Sequence, residues 1–587
     1  MRKGGIILVL LVIIAIASIA LLTLSQILSN IRTNVTSNVN QAFVESACSN
    51  CLEFTIATVK LGMDNLCNLR PDIFKFNDHG AEVKNELKNL SVFSKTKEFI
   101  DSYVDENNAT IIYSYERNST GSARRGLNST DFQTLGLMEI YNEFIRFVDL
   151  AELDKVYCAV YQIKGGGCYL LLSKIRKADK EIAQLAVVTS ERLNKFIYYS
   201  EAEPEIYFTS REVIYGPLKS NSYIHTYQYS WTPDSKPTFM GTVEVPGVKH
   251  KDETTGSFTI YDANNNPNGV LNALSLMGNP PIKFVNSDVS FSVLYNDYVN
   301  AISNIAVDLN TFLNTNFSGA SSKPVGVKLP SYAILESKIE SGKNILKITL
   351  SGGNVYEFIW DLNSLPNATV RYVENGNTVE KNVKFNGLIT SDNDITIEDS
   401  SQTLQNKLFL YNGNLTIFSK ANIWVNARIV PQNIYNYITS QFGNLNNPIP
   451  KDRISDLINF VTQNEKSSLD LVANSKVFIK SNGTANDRIN NQKIFANIYA
   501  FQGSFGVQNH DKGGENGQLL VYGSIMQKQR AAIGLVGAGA PGYSKFYVHD
   551  PRALTGKIGT IATPAKKQSI MVLYLETTSN VLASNSR

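Results

Sequence analysis

Near its C-terminus the 587-residue chain spaces three glycines as Gly537-x-Gly539-x-x-Gly542, the interval with which a dinucleotide-binding turn brings backbone N–H groups up to a pyrophosphate. That chemistry also needs a helix opening on the third glycine and an acid about twenty residues further on. Here Pro541 and the run from Tyr543 to Pro551 continue as extended chain, so the glycines predict a sharp turn, and no nucleotide is expected. Around them stand Gln527, Lys528, Arg530, Tyr543, Lys545, His549, Asp550 and Arg552. Such a mixture can present a sugar- or partner-binding face, or close a β-body as a buried polar network.

Five cysteines, Cys48, Cys51, Cys67, Cys158 and Cys168, all precede residue 170. Outside the cytoplasm they could form one or two disulfides, and an odd count leaves one thiol over. Cys48-Ser-Asn-Cys51 is half of a zinc knuckle with no second half, so no metal is expected. Asp392, Asp394, Glu398 and Asp399 are the nearest approach to the paired carboxylates of a polysaccharide hydrolase. The sequence contains no HExxH, G-x-S-x-G or P-loop motif. Neither an enzyme nor a cofactor is expected. The net charge of +3, with 18% charged residues, gives no field that would gather nucleic acid.

The elements that must position these residues change along the chain. Gly4 to Leu28 carries no charge, and residues 6–28 as a helix reach about 35 Å, enough to cross a hydrocarbon core. Arg2 and Lys3 ahead of it predict an N-terminus inside and the bulk of the chain outside a cytoplasmic membrane, as a single-pass protein. Ile27, Ile31, Val35, Val39, Phe43, Ala47 and Cys51 extend the helix as an amphipathic stripe to about residue 62. Residues 63–200 mix helical spacing with a hairpin around Lys164–Gly167. From 201 to 433 short alternating runs between polar turns predict a β-rich domain, residues 434–473 a helical insertion, and 474–587 further strands. The expected class is α+β: a long transmembrane helix, a membrane-proximal α+β region, then a large mainly-β body, solenoid or sandwich.

The N-terminus "RKGG" followed by "IILVLLVIIAIASIALL" resembles the leader and helix of type IV pilins and their minor or pseudopilin relatives. The resemblance implies cleavage between Gly5 and Ile6 by a prepilin peptidase. It also implies partners among other pilin-like subunits, their assembly machinery and the membrane. Leu10 stands where most major pilins carry Glu, which points to an accessory or tip-type subunit of a pilus-like or secretion filament rather than a bulk one. "VIYGPLKSN" (213–221), "LTIFSKANIWV" (415–425), "IFANIYAFQGSFGV" (494–507) and the stretch 520–553 are similar to an uncharacterised domain found behind such leaders in bacterial envelope proteins. The alternatives are a permanently anchored surface adhesin that binds glycan and, last, an envelope polysaccharide hydrolase.

Overall fold

The computed structural model describes Gln26, residues 39–63, single positions between 70 and 86, and residues 104–581 apart from 119–120, 164–167, 179, 210–211, 231–235, 277–281, 287–288, 315–323, 363, 485–486, 536–538 and 554–562. The expected leader, with Arg2, Lys3, Gly5 and Ile6, and Cys67 lie outside these residues, as does the segment 6–28 except Gln26. Two expectations are corrected. The described residues are mostly β rather than an α+β mixture led by a long spanning helix. No helix among them is long and apolar enough to cross a membrane, so a single-pass anchor is not supported. The first described helix is amphipathic, with one face sunk into protein and the other largely polar.

That helix, α1 (39–61), buries Ala47, Cys48, Cys51, Leu52, Thr55 and Val59, three and four residues apart. Val39 and Phe43, on the predicted stripe, are exposed. A four-residue step advances the stripe by about 40° around a helix of 3.6 residues per turn, so its early members have turned away from the core. α1 lies on an antiparallel sheet begun by β1 (Val104–Asn118) and β2 (Gly121–Gly126). Helices α2 (Ser129–Thr134) and α3 (Met138–Leu150) follow. Asn128 and Asp131 cap α2 reciprocally, each side chain accepting the other's backbone N–H. Phe144 of α3 stacks on Phe54 of α1 with ring centroids 4.0 Å apart. The sheet continues through β3 (Lys155–Ile163), β4 (Cys168–Lys177) and β5 (Lys180–Arg192).

After β5 the chain leaves this sheet and winds into a three-faced parallel coil. Its first turns are β6 (Tyr198–Ala202), β7 (Tyr207–Thr209), β8 (Val213–Tyr215), β9 (Leu218–Ser220), β10 (Ile224–Gln228), β11 (Thr238–Phe239), β12 (Val243–Val245) and β13 (Gly247–Asp252). β14 (Phe258–Asp262) turns back antiparallel on β13, and β15 (Ser275–Leu276) and β16 (Ile282–Phe284) end this group. Helix α4 (Phe291–Ile302) then carries the chain away. A second group begins with β17 (Ala306–Asp308), α5 (Leu309–Asn314), β18 (Val325–Leu329) and β19 (Ala333–Glu340). An antiparallel meander of β20 (Lys343–Leu350), β21 (Val355–Asp361), β22 (Asn367–Glu374) and the start of β23 (Asn377–Ser391) grows out of β19.

The coil then runs through β24 (Ile395–Glu398), β25 (Leu408–Tyr411), β26 (Asn414–Ser419), β27 (Ile423–Asn426) and β28 (Arg428–Pro431). Helices α6 (Gln432–Phe442) and α7 (Ile454–Asn464) interrupt it. It resumes with β29 (Ser468–Ala473), β30 (Val477–Ile479), β31 (Lys493–Ala500), β32 (Phe505–Val507), β33 (Glu515–Gln529) and β34 (Gly542–His549). Finally β35 (Ala565–Val581) returns to the first sheet and pairs antiparallel with β5, giving the order β2-β1-β3-β4-β5-β35.

Like stacks on like along the coil. Ile395, Ile423, Val477 and Phe505 are successive register partners, as are Ile417, Leu471, Ile498 and Ile525. All eight are buried, and each contributes about 1.5–3 kcal/mol of apolar burial. The two groups join in an order the chain does not follow: β6 pairs with β33, and β8 with β34. The earlier turns therefore stack on the end of the later ones. α4 makes the return, laying Phe291, Leu294 and Tyr298 across Phe418, Val472, Tyr499 and Met526 on successive rungs. Its 12 residues span about 18 Å, close to the length of four rungs spaced about 4.8 Å apart.

Candidate functional site

The seven C-terminal cluster residues, Gln527, Arg530, Tyr543, Lys545, His549, Asp550 and Arg552, are all buried. Four of them sit at the seam where the two groups of coils meet. Gln527 donates to the Tyr198 hydroxyl at 3.1 Å and accepts from the Phe505 backbone at 2.9 Å. Arg530 donates to Glu203 at 3.3 Å and to the Ile206 carbonyl at 3.0 Å, with its guanidinium 3.7 Å from the centroid of the Phe208 ring. Lys545 is ion-paired with Glu212. His549 lies 2.9 Å from the Asn194 carbonyl through Nε2. The other three hold loops: Arg552, paired with Asp550 at 2.6 Å, donates to the Glu465 carbonyl just after α7, and Tyr543 donates to the Ile489 carbonyl.

Burial sets the proton affinities at this seam. It pulls the Lys545 ammonium down to about 8 although Glu212 opposes the shift, and it lowers His549 below the ordinary histidine value. Lys528, which belongs to the same run of sequence, reaches Gln502 at 2.9 Å. The arrangement is a clamp of matched donors and acceptors between coils.

Sequence reasoning missed Glu203 and Glu212, the acids of this clamp, and three further buried cations. Arg428 and Lys493 hold loops chiefly through backbone carbonyls, and Arg488 donates to the Asn509 and Lys512 carbonyls and to the side chains of Ser481 and Asn516. Lys493 donates to those of Leu445 and Asn447, both at 2.7 Å, and of Asn491 at 3.2 Å. Burial, followed by the Arg428 charge, draws Lys493 down to about 7. No spacing rule marks a lysine at the start of a strand as interior. β31, which carries it, is buried along its whole length.

The chain reverses between Gly534 and Gly542. Gly539 and Gly542 have φ of 71° and 98°, and a Cβ on Gly542 would lie 2.2 Å from the Gly534 Cα. A single antiparallel bridge joins Gly534 to Gly542, and β34 leaves as a strand. The four carboxylates are dispersed among structural partners. Asp392 pairs with Lys328 and Lys420, and Asp394 accepts from Asn422 and Trp424. Glu398 pairs with Lys407, and Asp399 accepts from Ser401. Cys48, Cys51 and Cys158 are buried free thiols, while Cys168 lies on β4 opposite Thr189. Among the described residues no group of three or more His, Cys, Asp or Glu is placed to hold a metal ion.

One outward face has a different character. On the four-stranded sheet of β7, β10, β13 and β14, the register aligns Tyr207, His225, Lys249 and Ile260 in one row. It aligns Thr209, Tyr227, Lys251 and Phe258 in a second. Phe258 is 54% and Ile260 40% exposed, while Tyr207, Tyr227 and Lys249 are half-buried and Thr209 and His225 buried; Tyr207 and Tyr227 meet edge to face at 5.3 Å. Apolar and aromatic surface is thus interleaved with lysines at the end of the coil.

No family model matches the chain, and no curated protein does. Among solved structures, the competence-associated pilin ComZ from Thermus thermophilus matches over 73% of this chain and 84% of that chain, with 12% identity and a TM-score of 0.27. The chain is distantly similar to a pilin. At that score no residue of the one is equated with a residue of the other.

Proposed function

We propose that the protein is an accessory structural subunit of a pilus-like filament, in which the parallel coil is the displayed head. The observation that carries this reading is the placement of α1. It lies with one face buried on an antiparallel sheet, and the coil is built between two neighbouring strands of that sheet, β5 and β35. The leader-like "RKGG" before Ile6 and the non-acidic Leu10 support a processed, low-copy subunit. Its partners in this reading are prepilin peptidase, the assembly machinery and other pilin-like subunits. Mass spectrometry of the native N-terminus tests it, with a first residue of Ile6 expected. A native chain beginning at Met1, or absence of the protein from sheared filaments, refutes it.

A second reading, adhesion through glycan, is favoured by the exposed face of β7, β10, β13 and β14. Tyrosine rings suit the apolar faces of sugars, and lysines beside them suit acidic substituents. Binding of the full chain on a glycan array, lost in Tyr227→Ala and Lys251→Ala variants, is the outcome that reading requires.

A further inference from the structure

We infer that Cys51 and Cys158 form a disulfide that staples α1 to the sheet, with Cys48 left as a thiol. Cys51 lies on α1 and Cys158 on β3, and both are completely buried in the core between helix and sheet. The Cys158 sulfur stands 3.9 Å from the Cys51 backbone oxygen. Cys48, one turn earlier, points elsewhere. Its S–H reaches the carbonyls of Ser173 at 3.4 Å and Ile182 at 3.6 Å, on β4 and β5. The register places Ser173 directly opposite Cys158, and the Ser173 hydroxyl lies 3.9 Å from the Cys158 sulfur. Of the two helix cysteines, Cys51 is therefore the one that the Cys158 sulfur contacts.

The thiolate is the reactive form in exchange. With a small-molecule disulfide of the oxidised-glutathione class as oxidant, the thiolate of one of the two cysteines attacks one of its sulfurs and expels the first thiolate, leaving a mixed disulfide. The other cysteine gives up its proton and attacks the protein sulfur of that mixed disulfide, which breaks the mixed bond and releases the second thiolate. Two protein thiols become one disulfide, and the two electrons and two protons leave on two molecules of the small thiol. Because both sulfurs are buried once α1 is docked, the exchange belongs to the stage before docking, and the finished bond is then shielded from reductants.

The test uses the full chain prepared under reducing conditions, unfolded, and refolded with oxidised and reduced glutathione. Digestion without reductant and mass spectrometry should give a peptide linking the α1 segment to the β3 segment. Cys48 and Cys51 share one tryptic peptide, so the Cys48→Ser variant must retain the link, while Cys51→Ser and Cys158→Ser must each lose it. Oxidised wild type should unfold about 10 °C above its reduced form, and the Cys51→Ser variant should show no such difference. Full alkylation of Cys51 and Cys158 after oxidation overturns the inference. So does a link from either of them to Cys48, Cys67 or Cys168. Should the serine variants fail to fold, Cys51→Ala and Cys158→Ala give the same readout without adding a buried hydroxyl.

Discussion

Arg530 holds its charge where water does not reach: its side chain is 2% exposed and that of its partner Glu203 is 0%. Removing one member of such a pair leaves the other charged and desolvated, so Arg530→Ala is expected to cost about 3–5 kcal/mol. The solvent-exposed pair of Lys338 and Glu340 sits at the other extreme, and Lys338→Ala should change stability by less than about 1 kcal/mol. Urea unfolding midpoints of the two variants decide between a structural clamp and a dispensable cluster. Histidines supply a second check. Burial is the main cause that lowers His225, His250 and His549. The unfolded chain takes up these protons near pH 6.5, the folded one only at lower pH, so stability is intact above about pH 6.5 and falls on acidification below it. A series of unfolding midpoints from pH 8 to 5 should show that fall, and His549→Asn should flatten part of it. The density of polar types from Gln527 to Arg552 was legible in the sequence. Their partners, Glu203 and Glu212, were not, because more than 300 residues separate Arg530 from Glu203.

At the level of elements, the corners of the coil impose the sharpest local demand. Gly523, where β33 turns from one face to the next, has φ of 149°, and a Cβ there would lie 2.3 Å from the Ala496 carbonyl oxygen. Gly523→Ala should therefore destabilise the coil by about 3 kcal/mol. Gly352 meets nothing within 4 Å, and alanine there should be close to neutral; thermal unfolding of the two variants compares them directly. Strand periodicity was readable where one face meets the core and the other meets water, as in β19, which alternates in burial until its last turn. It failed where both faces are covered. Residues 468–473 extend a helical pattern in the sequence, yet they form β29, buried along its whole length. A strand flanked on both sides reads as a continuous apolar or mixed run, and periodicity alone cannot separate it from a buried helix. The α1 stripe shows the converse, since Val39 and Phe43 keep the spacing without the burial.

Across the whole molecule, the two ends of the coil leave and re-enter a single hairpin. Arg192 and Ala565 are register partners at the open end of the β5–β35 pair, so residues 193–564 form an insertion between adjacent strands. An insertion whose ends are neighbours can be exchanged for a short turn without pulling its host apart, because closing a short loop costs little chain entropy. The host has its own apolar core, in which α1, α3 and the sheet bury Val44, Phe54, Phe144, Val160 and Leu171 together. The coil has another, running from Ile197 to Tyr547. A chain in which 193–564 is replaced by a Gly-Asn-Gly-Ser turn should therefore fold, with the helix and antiparallel signals of the host in circular dichroism and a single cooperative melt. Residues 193–564 expressed alone should give the β-rich remainder. The seam contact of Thr563 with Asp470 and the backbone bond from Leu193 to the Pro564 carbonyl lie at or within the ends of the insertion, so they stay with the coil. If the shortened chain is unfolded while the isolated coil melts cooperatively, the host depends on its insertion, and the coil is not a module carried by an independent domain. If both fold and the full chain shows two transitions, the coil can be varied without disturbing the core that α1 and the sheet share.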